Sequence, residues 1–523
     1  MGVTADHNGG GRVAVGLGRP KIALSRRWRT RIPAPAVRLI SANETRLATL
    51  RLATLRPDLS SSKRLWRWQA LVLSVLVLAV VTGMIVAPHK LALVVTIALA
   101  PPFFAVYLLR LLAVCAAFAD RRAARTRGAT IDLRSAGCDR PTYAVLVALY
   151  DEADIVPALV DALLALDYPV GRLAIRLVVE EDDVSTRRAL GKLILPPHIA
   201  ILVVPRGMPR TKPRALNVAL DATPGDLVVV YDAEDLPEPD QLRKAASAFR
   251  DAPADLACVQ ARLNTFNPDE SWLARQFTIE YSALFDLILP ALERYRLPVP
   301  LGGTSNHFRR AVLQRVLAWD PYNVTEDADL GIRLARYGYS VGTIDSTTWE
   351  EAPPRFGIWL RQRTRWLKGW MQTYLVHMRQ PRRLLGELGW WGFAGLQVLM
   401  GAMIASALVH PWFYVLLAQK GLEGSSAAGV ASGIPPSIAW LAYANLLLGY
   451  LSVALVGAVA VWRRGRKHLV IHVLLVPVYW LAISLAAYRA LGQMVTAPFH
   501  WEKTQHRARR HGVGRLPSQS QPS

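Results

Sequence analysis

The sequence predicts a membrane protein in which one α/β domain is inserted between transmembrane helices, with two helices before the domain and three or four after it. Two observations support this prediction. Long uncharged apolar runs occur near both ends of the chain, and the region between them has short apolar stretches that alternate with amphipathic ones. Strands that alternate with helical patterns are typical of a doubly wound α/β domain.

Five apolar runs are long enough to cross a membrane. A helix that crosses about 30 Å of hydrocarbon needs about 20 apolar residues. The first two runs are separated by Pro88-His89-Lys90, which predicts a tight hairpin. The last segment, residues 469–500, either forms one span or breaks near Pro477, so five or six spans are expected. The uncharged runs cover residues 70–87, 91–109, 388–418, 438–462 and 469–488.

The composition also indicates a membrane protein. Hydrophobic residues make up 52% of the 523 residues and charged residues only 19%, yet the formal net charge is +23. Residues 1–68 hold 14 Lys and Arg against 3 acidic residues, which predicts a cytoplasmic N-terminus. A nucleic-acid-binding protein would carry denser charge on a polar surface, so nucleic acid is not an expected partner. The three cysteines are too far apart in sequence to predict a disulfide framework or a zinc site.

These features divide the chain into six predicted parts. Residues 1–68 are rich in Arg, Gly and Ala and are expected to be disordered. Residues 351–386 are expected to form amphipathic helices at the membrane surface, because basic residues and Trp are interleaved there. The parts are a basic N-terminus (1–68), a transmembrane hairpin (69–120), the α/β domain (140–350), interfacial helices (351–386), further transmembrane helices (387–500) and a basic tail (501–523).

Acidic clusters follow three of the predicted strands. The strands 143–149, 174–179 and 227–231 are followed by acidic residues at 151–152, 180–183 and 232–235. Because ligands of open α/β sheets bind beyond the carboxyl ends of the strands, these clusters are expected to converge at one edge. Hard Mg²⁺ or Mn²⁺ takes carboxylate oxygens and shares its other positions with substrate phosphates. A solvated turn would explain any one cluster alone, whereas three together predict a shared nucleotide and metal site.

Further motifs follow in order along the chain: Lys212-Pro213-Arg214-Ala215-Leu216-Asn217, Gly302-Gly303-Thr304-Ser305-Asn306-His307-Phe308, Thr325-Glu326-Asp327 and Gln362-Arg363-Thr364-Arg365-Trp366. With Asp232-Ala233-Glu234 they make residues 140–380 similar to the catalytic domain of family 2 glycosyltransferases, in the membrane-embedded branch of the cellulose and hyaluronan synthases. The resemblance implies a GT-A-type nucleotide-sugar domain. This chain departs from the family pattern at Asp151, where Asn is usual, and at Glu234, which replaces the second Asp of the DxD motif.

The resemblance also implies roles for individual residues. Asp327 is expected to be the general base, in a catalytic motif with Glu326 and Thr325. Asp232 and Glu234 are expected to hold Mg²⁺ or Mn²⁺. The residues expected to contact the nucleotide-sugar are Tyr150, Glu152, Glu180, Asp182, Lys212, Asp232, Gln362, Arg365 and Trp366. The residues expected to contact the acceptor are Gly303, Thr304, Ser305 and Trp366.

These residue types suit an inverting transfer. An incoming hydroxyl displaces the diphosphate from the anomeric carbon and needs a positioned carboxylate to accept its proton. The diphosphate gains negative charge, which a metal and cationic side chains stabilise. A retaining double displacement is not favoured, because the sequence shows no second carboxylate beside Asp327. Trp366 has two interpretations, a residue that stacks on the acceptor or an interfacial anchor like Trp359 and Trp370.

The expected function is that of a hexosyltransferase in the cell inner membrane, with a cytoplasmic catalytic domain. It would move a sugar from a UDP-sugar to a growing β-linked polysaccharide. Membrane lipids and periplasmic or outer-membrane export proteins are the other expected partners. A single addition to a membrane lipid acceptor is the alternative. A transporter with a nucleotide-binding domain is not favoured, since the apolar runs hold few charges and show no inverted repeat. The sequence does not predict which sugar is transferred.

Overall fold

The computed structural model describes residues 36–127, 140–423, 436–498 and 502. Within these residues the strands are β1 (Val37–Leu39), β2 (Tyr143–Leu149), β3 (Leu173–Glu180), β4 (Ile199–Val204), β5 (Leu227–Tyr231), β6 (Leu236–Pro237), β7 (Leu256–Thr265), β8 (Asn306–Arg309) and β9 (Ser340–Glu350). They form one mixed sheet in the order β1-β4-β3-β2-β5-β8-β7-β9-β6. The strands β1 to β5 are parallel to one another, and β8 is antiparallel to both of its neighbours. The predicted α/β class is therefore confirmed, with a mixed rather than a purely parallel sheet.

The helices of the domain and of the membrane part follow one another along the chain. The helices are α1 (Ala42–Leu55), α2 (Arg67–Val86), α3 (Pro88–Arg127), α4 (Val156–Leu164), α5 (Val184–Gly191), α6 (Lys212–Ala222), α7 (Gln241–Arg250), α8 (Trp272–Ala283), α9 (Leu289–Arg294), α10 (Arg310–Arg315), α11 (Glu326–Arg336), α12 (Phe356–His377), α13 (Pro381–Leu396), α14 (Met403–Glu423), α15 (Pro436–Arg463) and α16 (Val476–Thr496). A π-helical turn joins α8 to α9, and another joins α13 to α14.

The central strands are apolar because helices cover both faces of the sheet. On one face, side chains such as Leu146 and Val228 pack against Leu216 of α6. On the other face, Val147 and Val229 pack in the cluster that includes α4 and α7. A strand buried on both faces has no solvent side that would require alternation, which explains its continuous apolar run. This arrangement aims the carboxyl ends of β2, β3 and β5 at one edge.

The N-terminal segment is ordered from residue 36, and the expectation of disorder is wrong for residues 36–59. Strand β1 pairs in parallel with β4 at the edge of the sheet. Helix α1 begins with a capping box, in which Ser41 accepts from the Glu44 amide and Glu44 accepts from the Ser41 amide. Ala48 and Leu52 bury one face of the helix. A local capping signal and a short apolar face outweigh a composition that is typical of disorder. Residues 1–35 lie outside the described residues.

The described residues contain five helices that are long and apolar enough to cross a membrane. The third begins at Pro381, within the segment predicted to be interfacial, and has a kink at Gly389, where φ is 66°. The fifth begins with a 3₁₀ segment, Lys467–Leu475, which continues into α16 with Pro477 in its first turn. The backbone therefore changes geometry near Pro477, and a single helix follows. The spans are Arg67–Val86, Pro88–Ala119, Pro381–Val415, Trp440–Arg463 and Lys467–Thr496.

Helix α12 joins the α/β domain to the membrane part through buried polar contacts. Arg363 donates to both carboxylate oxygens of Glu280 in α8, at 2.8 and 2.6 Å, and to the Tyr479 hydroxyl of α16 at 3.0 Å. The indole of Trp359 is fully buried and donates to the same hydroxyl at 3.1 Å. The interpretation of Trp359 as an interfacial anchor is therefore wrong, because its ring packs inside the protein. These contacts fix the helix that carries Gln362, Arg365 and Trp366.

Candidate active site

The acidic clusters that follow β2 and β3 meet at the edge of the sheet. Asp183 begins α5, where its carboxylate accepts from the Thr186 amide at 3.1 Å. The same carboxylate accepts from the Asp151 amide at 2.6 Å and holds the turn after β2, where Asp151 has a φ of 54°. The Glu152 amide donates to Thr186 at 2.9 Å. Asp183 is therefore a structural residue that ties the two turns together.

The three acids after β5 have different roles. Asp232 forms an ion pair with Lys212, and the Lys212 ammonium donates to the Gly303 carbonyl at 2.6 Å. Asp235 is buried, and it accepts from the Asp232 amide at 2.7 Å and from the Thr304 hydroxyl. Burial and the charge of Asp232 raise the pKa of Asp235 well above its usual range. Asp235 therefore shapes the turn, while Asp232 and Glu234 face a cavity.

Asp327 lies in the first turn of α11, directly opposite Asp232. Its Oδ1 accepts from the Ala328 amide at 2.7 Å, and burial raises its pKa. A Cβ atom placed on Gly303 would lie 3.3 Å from Asp327 Oδ2 and 3.9 Å from Asp232 Oδ2, so glycine leaves both carboxylates facing one space. The expectation that no second carboxylate lies beside Asp327 is wrong. The sequence could not reveal this neighbour, because β5 and α11 are far apart along the chain.

The charged groups around Asp327 shift one another's pKa values. Burial and the charge of Asp327 raise the pKa of Glu326 to about 7. Although burial opposes it, the charges of Asp232 and Glu326 raise the pKa of Lys212. Burial and the neighbouring acids Asp235 and Glu234 raise the pKa of Glu350, at the end of β9. The site therefore gathers several acidic groups around the partly buried ammonium group of Lys212.

Two of the side chains predicted to hold the nucleotide are paired with arginines, and one of these two, Asp182, is not among the residues that line the cavity. Glu180 is buried and accepts two hydrogen bonds from Arg214, at 2.8 and 3.0 Å. Asp182 pairs with Arg210, whose guanidinium also donates to the Tyr150 hydroxyl at 2.9 Å and lies 5.2 Å from the centre of that ring. Tyr150, Glu180 and Arg210 line the cavity. The sequence analysis did not single out Arg210, although it lies two residues before Lys212, which begins the lysine motif.

The predicted acceptor residues divide into those that line the cavity and one that does not. Gly303 and Thr304 line it, although the Thr304 hydroxyl is used by Asp235. Ser305 is fully buried, and its hydroxyl shares a hydrogen bond of 2.6 Å with Thr348. The predicted contact between Ser305 and an acceptor is therefore wrong, because its side chain points into the protein core.

Gln362, Arg365 and Trp366, which form the QxxRW motif, line the cavity from α12. The Trp366 ring stacks on Tyr281, with ring centres 6.1 Å apart and an angle of 21° between the planes. The Arg363 guanidinium lies 4.8 Å from the centre of the Trp366 ring. Trp366 therefore belongs to an aromatic wall inside the protein, and the interfacial-anchor interpretation is wrong for this residue. Tyr281 was missed, because its alignment with Trp366 depends on how α8 packs against α12.

One cavity of about 880 Å³ connects these groups with the membrane helices. Its lining includes Tyr150 and Glu152, the carboxylates Asp232 and Asp327, and Trp366. Its far part is lined by side chains of α3, α14, α15 and α16, among them Arg110, Met403, Ile404, Val453, Trp480 and Ile483. A ligand at Asp327 can therefore extend towards the nucleotide side and towards the membrane side.

The donor set fits a hard divalent cation at Asp232 and Glu234. The described residues hold no group of three His, Cys, Asp or Glu side chains arranged around one point. Mg²⁺ is commonly held by only one or two carboxylates together with substrate phosphates. The excess of acidic groups around Lys212 also favours a cation. Asp232 and Glu234 are therefore the residues available to hold a metal that a diphosphate completes.

Gly369 of α12 sets the position of the catalytic motif. A Cβ atom there would overlap the Thr325 side chain, two residues before Asp327. We expect Gly369→Ala to lower the free energy of unfolding by about 1–3 kcal/mol through overpacking and to lower transfer activity by about 100-fold through displacement of Asp327. Thermal unfolding and turnover of the purified variant measure both. Gly357→Ala, in the same helix with no atom within 4 Å of the new Cβ, is the matched control and should leave both unchanged.

Comparison with known proteins agrees with this geometry. A sequence model of the family described as "Glycosyltransferase like family 2" matches residues 141–369. The match extends from β2 to α12 and includes every motif described above. Residues 141–369 therefore form a family 2 glycosyltransferase domain, and the family-level part of the sequence resemblance is confirmed.

Several curated proteins are similar to about half of this chain. The probable glycosyltransferase YdaM of Bacillus subtilis is 24% identical over 51% of this chain and 66% of its own length. The beta-monoglucosyldiacylglycerol synthase of Synechocystis is 29% identical over 52% of this chain and 58% of its own. The probable glucomannan 4-beta-mannosyltransferase 1 of Arabidopsis thaliana is 25% identical over 44% of this chain and 43% of its own. The chain thus spans less than two thirds of each relative.

Among solved structures, the mannosyltransferase PcManGT from Pyrobaculum calidifontis, in complex with GDP-Man and Mn²⁺, is 21% identical, with a TM-score of 0.47. The similarity covers 77% of this chain and 99% of that one.

Proposed function

We propose that this protein is an inverting hexosyltransferase that moves a sugar from a UDP-sugar to an acceptor hydroxyl. The observation that carries the proposal is the cavity that the partly buried carboxylate of Asp327 lines together with nucleotide-side residues and with residues of the membrane helices. UDP as the nucleotide rests on the resemblance of the motifs. The hexose class agrees with the names of the relatives that match about half of this chain.

Asp327 is the general base in this mechanism. Its raised pKa makes it a stronger proton acceptor than an exposed carboxylate, which suits removal of a proton from an incoming hydroxyl. The ammonium group of Lys212 and the guanidinium of Arg365, which both line the cavity, stabilise the negative charge that develops on the leaving diphosphate. A Mg²⁺ or Mn²⁺ ion held by Asp232 and Glu234 would supply further charge stabilisation when bound.

The first candidate acceptor is a growing β-linked glycan. The stacked rings of Trp366 and Tyr281 line the cavity where it turns towards the membrane helices. An aromatic side chain that lines a cavity offers apolar surface that suits the apolar face of a sugar ring. A glycan that leaves the site past these rings would enter the helix bundle, which agrees with coupling of synthesis to export. Export partners in the periplasm or outer membrane remain part of this proposal.

A lipid acceptor is the second candidate, and a different observation favours it. The membrane part of the cavity is lined largely by aliphatic side chains, including Ile404, Val453 and Ile483. Such walls suit an acyl or isoprenoid chain better than a hydroxyl-rich glycan. One relative is named for synthesis of a glucosylated diacylglycerol. Both candidates place the reaction at the inner membrane with the catalytic domain in the cytoplasm, as the basic N-terminal segment predicts.

The test is turnover by the full-length protein reconstituted in lipid. Release of nucleoside diphosphate is measured with a panel of UDP-sugars and with GDP-mannose, with Mg²⁺ or Mn²⁺, and with and without added lipid acceptors. Release with one donor supports the proposal, and the size of the product separates polymer from single addition. No release with any donor, metal or acceptor would reject the transferase activity.

A further inference from the structure

Arg110 is a charged residue inside the membrane part of the protein without a charged partner. It is the one charged residue between positions 91 and 119, and only 9% of its surface is exposed. Its guanidinium donates to the Ser452 hydroxyl of α15 at 3.2 Å and lies 3.9 Å from the Met403 sulfur. Among the residues that the structure describes, no carboxylate forms a salt bridge with Arg110. Its contacts are therefore with neutral groups.

A guanidinium in this position favours the binding of an anion. Ionisable residues within transmembrane segments are costly and mark functional sites, and a buried charge is destabilising unless it is paired. The Trp480 ring, whose centre lies 6.0 Å from the guanidinium, accepts no hydrogen bond of ordinary strength, and a hydroxyl and a thioether leave most of the five N–H donors of Arg110 without a strong acceptor. Its planar donor fork matches a phosphate group, which can accept two parallel hydrogen bonds. The chemistry of the site therefore favours a phosphate.

Arg110 lies in the half of the second candidate span that is next to the catalytic domain. The uncharged run 91–109 has 19 residues and spans roughly 28 Å as a helix, which is close to the thickness of the hydrocarbon layer. Arg110 follows this run on the side of the catalytic domain, since Ala113 and Ala116 pack against Leu287 and Ala291. The guanidinium therefore lies within the span Pro88–Ala119, in its half next to that domain.

The cavity beside Arg110 has the shape of a site for an apolar chain. Arg110 lines the large cavity together with Met403, Ile404, Ala407 and Val453. One cation next to aliphatic walls is the pattern expected for a molecule with a single anionic group and a long apolar tail.

We propose that Arg110 binds the phosphate of an anionic membrane lipid whose chain occupies the aliphatic part of the cavity. This site lies in the part of the cavity that the membrane helices line, and binding of a lipid there does not require the transfer reaction. The lipid can be detected by direct binding in the absence of any sugar donor. A failure of this proposal would therefore leave the proposed glycosyltransferase activity untouched.

The experiment is native mass spectrometry of the full-length protein, delipidated in a neutral detergent and titrated with phosphatidylglycerol. Diacylglycerol with the same chains and inorganic phosphate are titrated in parallel. Arg110→Gln removes the charge, and Arg110→Lys keeps the charge without the planar fork. Arg67→Gln is the matched control, because Arg67 begins α2 on the same side of the membrane, is exposed and does not line the cavity.

We expect one tightly bound phosphatidylglycerol, with affinity lowered about tenfold or more in Arg110→Gln, since hydrogen bonds to charged groups contribute that much. Arg110→Lys should bind with intermediate affinity, and Arg67→Gln should bind like the wild type. Diacylglycerol should bind weakly and equally to all four proteins. Wild-type affinity for phosphatidylglycerol in Arg110→Gln would overturn the proposal. If Arg110→Gln does not fold, equal affinity of the wild type and Arg110→Lys would overturn it. Binding of inorganic phosphate with no gain from lipid chains would assign the site to free phosphate and overturn the lipid assignment.

Discussion

Asp327→Asn is expected to abolish most sugar transfer while leaving the fold intact. Asparagine keeps the shape of the side chain and can still accept from the Ala328 amide, but it cannot take a proton from the acceptor hydroxyl. General base catalysis contributes about 10²–10⁴-fold, so kcat should fall by that factor. The variant should still bind the donor, because the groups assigned to the nucleotide and the metal are unchanged.

The measurement is turnover together with donor binding, for example by calorimetry with the UDP-sugar that the wild type uses. Asp345→Asn is the control, because Asp345 is a largely exposed acid that pairs with Arg262. It should show wild-type turnover. Equal turnover by Asp327→Asn and the wild type would remove Asp327 from the mechanism.

Asp232→Asn is expected to lower both activity and metal affinity. The substitution removes a carboxylate charge that faces Lys212 and the proposed metal. Loss of one preorganised electrostatic contact commonly costs about 10²–10³-fold in kcat. The concentration of Mn²⁺ needed for half-maximal turnover should rise as well, because a neutral amide is a weaker ligand than a carboxylate.

Asp235→Asn is the matched control for this substitution. It changes an acid three positions away in the same way, but at a side chain that is buried and that accepts from the Asp232 amide and Thr304. An amide oxygen can accept both hydrogen bonds, so metal dependence should stay close to that of the wild type. If the Mn²⁺ response shifts in Asp235→Asn and not in Asp232→Asn, the metal assignment is reversed.

The parts of the site that sequence predicted are those encoded by local pattern. The strands β2, β4 and β5 are continuous apolar runs and β3 is mostly apolar apart from Arg176, so the acids that follow β2, β3 and β5 could be placed at one edge of the sheet. Asp232 and Asp327 were singled out because each belongs to a recognisable motif. The distinction between Asp232 and Asp235 was not accessible, because it depends on Thr304, which lies 69 positions from Asp235.

The remaining features depend on long-range packing that leaves no periodic signal. Glu180, at the end of β3, has the residue type of a nucleotide ligand, yet its carboxylate accepts a hydrogen bond from Arg214 of α6. Ser305 belongs to a glycine-rich motif, yet the strand turns its hydroxyl into the core. Arg110 directly follows the apolar run 91–109. Only the packing of α3 against α15 shows that its charge faces a cavity.

The stereochemistry of the product tests the central claim most directly, because Asp232 and Asp327 face the same space and a two-step mechanism would also need two carboxylates. Proton NMR of the product formed by the reconstituted wild-type protein reports the configuration at the anomeric carbon. We predict that an α-linked UDP-sugar gives a β-linked product, as expected for a single displacement with Asp327 as base. An α-linked product would contradict the inverting mechanism, and no sugar-containing product with any donor would contradict the assignment as a glycosyltransferase.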